Sequence, residues 1–262
     1  MPKLLIGYDT ECMHDPEITR AFLRKAADVH ARHPCTLFLV GKVIESNARD
    51  LELLADNPMF DFQQHTYSHQ LLKTVCIDRG DGRTEVHRAM PLSQIEDEVG
   101  RTSDLIRRYF GRECTGITGP YAYYRGLADR PDILEILHGL GIRFTRTYGR
   151  DHHDFQPVSF DIQPFRYAPQ GFPDMLEFPI HGWQDVYWRE MNGWGNLRGY
   201  REYLEECLSR TAEQGLTWSY GSHDWSSIRE DPDMTVMRSL LRSADLIGVP
   251  TISYLEYYEA DK

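Results

Sequence analysis

Short apolar runs alternate with helical patterns along nearly the whole 262-residue chain, and that alternation most restricts its fold. Residues 4–8, 35–40, 59–64, 142–147, 175–180, 216–220 and 250–254 read as strands, and a further strand ends at 116–120. The intervening segments read as helices. Asp15-Pro16 offers an N-cap followed by a proline at the first helical position, and Ile18, Phe22, Ala26 and Val29 then recur at helical spacing. Other helices are expected over about 43–55, over 93–109 behind a Ser93-x-x-Glu96 capping box, over 132–140 up to Gly141, over 200–213, and after Asp231-Pro232. Strands separated by helices pair in parallel with the helices outside. About eight strands in a chain of this length favour one α/β barrel domain over residues 1–262, with an outer helix missing between the fifth and sixth strands. An open doubly wound sheet is the second choice. No G-x-G-x-x-G or Walker sequence follows any strand, which disfavours the usual nucleotide sites. Residues 73–90 read as a polar loop excursion and 148–173 as a long irregular connection.

The net charge of −11, with no basic run, argues against a nucleic-acid surface. Five scattered cysteines, at 12, 35, 76, 114 and 207, form no C-x-x-C pair, so a zinc ribbon is excluded and reduced, mostly buried thiols are expected. Met1-Pro2-Lys3 leads directly into Leu4-Leu5-Ile6, and the apolar runs are too short for a signal core or a membrane span. The expectation is a cytoplasmic protein with no membrane insertion. Its oligomeric state is not encoded in any pattern.

Polar residues gather where strands end: Asp9 and Glu11 after the first, His65 and His69 after the third, His223 and Asp224 after the seventh. In a parallel barrel all these ends share one face. His65 and His69, four apart, fit one side of a helical turn and could reach one ion. A carboxylate with two imidazoles suits zinc or a similar divalent metal. A second carboxylate could take the proton of a bound water, and a histidine opposite could protonate a leaving amine. Each signal is weak alone: eleven histidines give about 0.4 such pairs by chance. A strand-terminal Asp is more often a helix cap. His181 competes for either histidine role, and Trp183, Tyr187, Trp188 and Trp194 suit sugar stacking or plain packing equally.

Taken in order, Tyr8-Asp9-x-Glu11, Thr36–Gly41, His65-Thr66-Tyr67-Ser68-His69, Gly119-Pro120-Tyr121 and Ser222-His223 resemble the polysaccharide deacetylase family, the NodB-homology domain of carbohydrate esterase family four. The resemblance spans nearly the whole chain. It implies a deformed (β/α) barrel of seven or eight parallel strands and metal-dependent removal of acetyl groups from N-acetylated sugars. It also implies Asp9 as catalytic base, His65 and His69 as metal ligands and His223 as general acid. Where the family has two adjacent aspartates this chain has Asp9-Thr10-Glu11, so Glu11 is the expected third ligand and Asp9 the alternative. The family's arginine is replaced by Thr118. Arg146 is the best-placed substitute partner for Asp9, with Arg125 second; Pro120, Tyr121, Arg146 and Trp183 are the expected substrate-binding residues. Two other activities stay open at this point: a metal-independent hydrolase of a small amide, allantoinase-like, and a carbohydrate-binding barrel without catalysis.

Overall fold

The computed structural model describes residues 1–78 and 80–262. Seven strands form a parallel sheet: β1 (Lys3–Thr10), β2 (Cys35–Leu39), β3 (Phe60–Gln64), β6 (Gly116–Tyr124), β7 (Phe144–Arg150), β9 (Phe172–Glu177) and β10 (Thr217–His223). Their spatial order is β10-β1-β2-β3-β6-β7-β9. An eighth, β11 (Thr251–Ile252), is parallel to β1, and β8 (Phe165–Tyr167) adds antiparallel to β9. The seam between β9 and β10 is bridged by His181, whose N–H donates to Ser219 O at 3.0 Å. The deformed barrel and the seven or eight parallel strands expected from the sequence are therefore present.

The helices lie between successive parallel strands: α1 (Pro16–Val29), α2 (Gly41–Ala55), α3 (Leu92–Phe110), α4 (Pro131–Gly139), α6 (Leu197–Gln214) and α8 (Thr235–Ile247). Their apolar faces form the main core with the outer side of the sheet, including Phe22, Ile44, Ile95, Leu134, Leu204 and Leu240. A second cluster joins Leu5 and Phe38 with Phe144, Leu176 and Phe178 through Tyr254 and Tyr258 of α9 (Tyr254–Ala260). Those residues come from strands far apart in the sheet order, so the sheet must curl round to bring them together.

Several local readings change. Asp15 does cap α1, accepting from Glu17 N at 3.1 Å. The Ser93–Glu96 box does not form, because α3 already starts at Leu92, behind Pro91. Asp231 sits ahead of α8, and its carboxylate accepts from Thr235 N at 2.8 Å and Val236 N at 2.9 Å. Short α5 (Asp185–Asn192) and α7 (Asp224–Arg229) follow strand ends where no helix was expected. Within 73–90, apart from Arg79, which lies outside the described residues, β4 (Val75–Asp78) and β5 (Thr84–His87) pair as an antiparallel hairpin. The region 148–173 holds β8 and a 3-10 turn at Ala168–Gln170. All five cysteines are free, four buried and Cys76 exposed. Among the described residues, no helix is long and apolar enough to cross a membrane.

Candidate active site

Strand register decides which polar residues meet. β1 and β10 pair with Asp9 beside His223, and β6 and β7 pair with Thr118 beside Arg146. The carboxyl ends of the strands open into a cleft of about 280 Å³, lined by Asp9, Glu11, His65, His69, Tyr121 and His223 among others.

His65 and His69 do not share a helical turn. Thr66 and His69 both have left-handed backbone, φ 60° and 61°, so the segment is a tight loop. Non-glycine residues rarely adopt this conformation, and the surroundings must hold it. Here the first amides of α2 do so: Gly41 N donates to Thr66 O and Lys42 N to Tyr67 O, both at 3.0 Å. Ser68 adds bonds from N and Oγ to the Glu98 carboxylate, at 2.8 and 2.7 Å. The approach demands glycine at 41, where a Cβ would lie 2.4 Å from Tyr67 Cδ2.

The loop brings the two imidazoles within 4.8 Å, ring centre to ring centre. His69 Nε2 lies 2.7 Å and His65 Nε2 3.3 Å from Glu11 Oε2, whereas Asp9 Oδ2 is 4.0 Å from His65 Nε2. The buried His65 ring has its Nδ1 3.0 Å from Thr118 O. Donation of a proton from that nitrogen leaves the Nε2 lone pair facing the carboxylate, the usual way a ligand histidine is oriented. Glu11 Oε1 accepts from Trp225 Nε1 at 3.1 Å. Burial alone would raise the Glu11 carboxyl. The positive His223 and the close approach of His65 and His69 outweigh it and hold the group well below the usual carboxylate range.

Asp9 stands apart from this trio because its partner is a different residue. Arg146, wholly buried, spans the barrel interior and pairs through Nη2 with Asp9 Oδ1. Its guanidinium carbon lies 4.5 Å from the Phe38 ring centre, a cation–π contact. Gly221 leaves space for it, since a Cβ there would meet Arg146 Nη1 at 2.7 Å. Thr118, which the sequence resemblance sets against the family's arginine, donates its hydroxyl to Arg146 O at 2.8 Å while its own carbonyl orients His65. Arg125, the second choice, is exposed beyond β6.

His223 has a partner that the sequence reading missed. Asp185, fully buried at the start of α5, lies 2.9 Å from His223 Nδ1 and also accepts from His223 N, Ser222 Oγ and Ser226 Oγ. Burial works against the imidazolium, but Asp185 and then Glu11 outweigh it and push His223 up to about 10. Burial likewise opposes the Asp185 charge, yet His223 holds that carboxyl down near 2. The available signal was an aspartate within the aromatic stretch after the sixth strand. Asp224 plays a different part. It accepts from Thr19 Oγ1 at 2.5 Å and from the Glu11 and Cys12 amides, tethering the loop that carries Glu11.

The remaining expected residues divide. Tyr121, with left-handed φ of 69°, and Tyr187 line the cleft. Pro120 is buried beneath the wall, and Trp183 packs edge-on against Phe155 beside a separate groove, so neither lines it. Trp188 is buried against Tyr200, and Trp194 packs at a tilt against Trp225. His181 is structural. Ser219 N donates to its Nδ1 at 3.0 Å, so Nε2 carries the proton toward Ile162 O at 2.7 Å, and burial lowers its pKa to about 4.

Residues 15–144 match the family model described as polysaccharide deacetylase. That span contains His65, His69 and Thr118–Tyr121 but neither Asp9 and Glu11 nor Asp185 and His223. The search of curated proteins found no match. Among solved structures, Puue allantoinase is 12% identical, with a TM-score of 0.70 over 98% of this chain and 88% of that one. A probable polysaccharide deacetylase from Pseudomonas aeruginosa is 13% identical, with a TM-score of 0.67 over 98% and 89%. A pseudoenzyme of carbohydrate esterase family 4 from Bacillus anthracis is 12% identical, with a TM-score of 0.54 over 98% and 65%. At these identities the likeness is one of fold, and the fold is common to different activities.

Proposed function

We propose that this chain, whose residues 15–144 match the polysaccharide deacetylase family model, is a metal-dependent amide hydrolase that removes an N-acetyl group from an amino sugar or glycan precursor. One observation carries the reading: a Glu11–His65–His69 cluster, a carboxylate paired with a buried arginine, and a histidine paired with a buried aspartate all face one cleft. The cluster fits a zinc-like divalent ion, because its ligand atoms lie within 4.8 Å of one another and the His65 ring is oriented through Thr118. When bound, that ion would polarise the amide carbonyl and acidify a water. Glu11, His65 and His69 would hold it.

The other groups act as acid and base. Asp9, paired with and oriented by Arg146, accepts the proton of the attacking water. His223 carries its proton on Nε2, turned toward the cleft, while Asp185 fixes Nδ1. It protonates the leaving amine as the carbon–nitrogen bond breaks, and acetate and a free amine result. Tyr187 and Tyr121 offer ring faces to the apolar face of a sugar.

The test combines metal analysis with acetate release from N-acetylglucosamine oligomers. The native protein is expected to carry about one metal equivalent per chain and to lose turnover on chelation. His65→Ala should lose the metal and keep its circular dichroism spectrum. Full occupancy in His65→Ala would contradict the ligand assignment, and turnover that survives chelation would favour the metal-independent hydrolase.

A further inference from the structure

Resting on that reading of the cleft, we propose that Arg150 makes the site selective for a substrate that carries a carboxylate beside its acylated amine. Arg150 ends β7 and is only 2% exposed, yet it lines the same cleft as Asp9, His65 and His223. Its Nε donates to Tyr121 O at 2.7 Å and Ala122 O at 3.1 Å, and its Nη1 to Asp154 O at 2.6 Å. All three acceptors are neutral carbonyls. No ion pair forms between Arg150 and any carboxylate among the described residues, and Nη2 has no protein acceptor there. Arg146, the other buried cation at this site, is paired with Asp9.

A guanidinium is seldom buried without a counter-charge. The cleft cannot supply one internally: Asp9 serves Arg146, Glu11 serves the histidines, and Glu190 stands exposed on the rim. The backbone carbonyls hold the Arg150 fork rigid and leave Nη2 for a ligand. The rings of Tyr121 and Tyr187, each centred 5.9 Å from its guanidinium carbon, flank the group. With two of its three nitrogens already committed, this single arginine suits a monoanionic carboxylate better than a phosphate dianion, which draws on several donors. The ligand is thus an N-acylated amine bearing a carboxylate, either a sugar acid or an amino acid.

The decisive measurement is binding, made by calorimetry on the whole chain, both metal-loaded and chelated. The probes are a carboxylate-bearing N-acetylhexosamine and its methyl ester, an N-acetyl amino acid and its methyl ester, and an N-acetylhexosamine phosphate. In at least one pair the free acid should bind about 10-fold or more tightly than its ester, the scale of one hydrogen bond to a charged group. The pair that shows it identifies the source. The preference should persist on chelation, fall below about threefold in Arg150→Gln and survive in part in Arg150→Lys. If Arg150→Gln does not fold, the chelated native protein and Arg150→Lys still decide. Acid and ester binding within threefold in both pairs would overturn the proposal. So would a preference that ignores Arg150→Gln and disappears with the metal, or tighter binding of the phosphate. Acetate release is scored separately, so selective binding without turnover counts against the hydrolase and for Arg150, and unselective turnover the reverse.

Discussion

Replacing Arg146 separates catalytic support from packing. Sequence alone leads one to expect that Arg146→Ala harms turnover and leaves thermal stability nearly unchanged. Its complete burial overturns the second half. The side chain is among the largest fully buried ones, and truncation to alanine leaves a hole against Phe38, Gly221 and Tyr254. Large-to-small core substitutions cost roughly 2–5 kcal/mol. Stranding Asp9 adds to this, although its side chain is 15% exposed at the cleft and can partly hydrate, so the addition stays below the cost for a fully buried pair. In the opposite direction, Arg146 Nε and Nη1 have no acceptor among the described residues, and their removal relieves an existing penalty. The net for Arg146→Ala is about 3 kcal/mol, or roughly 6–12 °C in Tm for a chain of this size. Arg146→Met refills the hole without orphaned donors and should stay within about 1 kcal/mol of native. Both variants should lose about 10²-fold or more in turnover, because the base loses its charge partner and orientation. The assay pairs thermal unfolding with kcat/KM. An Arg146→Ala melting point within about 2 °C of native would sink the packing argument, and Arg146→Met turning over within about threefold of native would sink the supporting role.

Two further predictions address buried carboxylates. Asp185→Asn should lower kcat by about 10²-fold or more while metal content stays at the native level, since Asp185 touches His223 and not the Glu11–His65–His69 cluster; loss of metal would mean that the two halves of the site are not separable. Asp61 is far from that chemistry, bonded to Thr36 Oγ1 and Gln63 Nε2, and burial raises it to about 6 against those two bonds. A raised carboxyl stabilises the fold fully below its unfolded value of 3.8, and that contribution is lost as pH rises through about 6. Asp61→Asn should therefore gain roughly 1–3 kcal/mol over native at pH 8 in denaturant unfolding, with the gain gone by about pH 4. An equal difference at both pH values would refute the titration.

Much of the architecture was legible because it is written in local period and punctuation. Strand–helix alternation implied parallel pairing and a barrel, and Asp15-Pro16 marked a real helix start. Local signals failed where a neighbour outside the window decided the outcome. The four-residue histidine spacing fits a helix equally well, and only the docking of α2 amides onto Thr66 and Tyr67 makes it a left-handed loop. Trp183 and Tyr187 look alike as aromatics and both pack edge-on against Phe155, yet Tyr187 also lines the cleft and Trp183 does not.

By itself, then, the sequence determined that polar residues stand at the carboxyl ends of strands, and which chemistry such residues could perform. The tertiary structure alone decided who serves whom. Asp185 meets His223 across 38 residues, Arg146 meets Asp9 across 137, and Trp225 meets Glu11 across 214. No local pattern encodes such pairs, because each depends on strand register and on how far the sheet curls before it closes. The same curl brings a buried arginine from the seventh chain-order strand to the first, and so supplies the cation that Thr118 cannot.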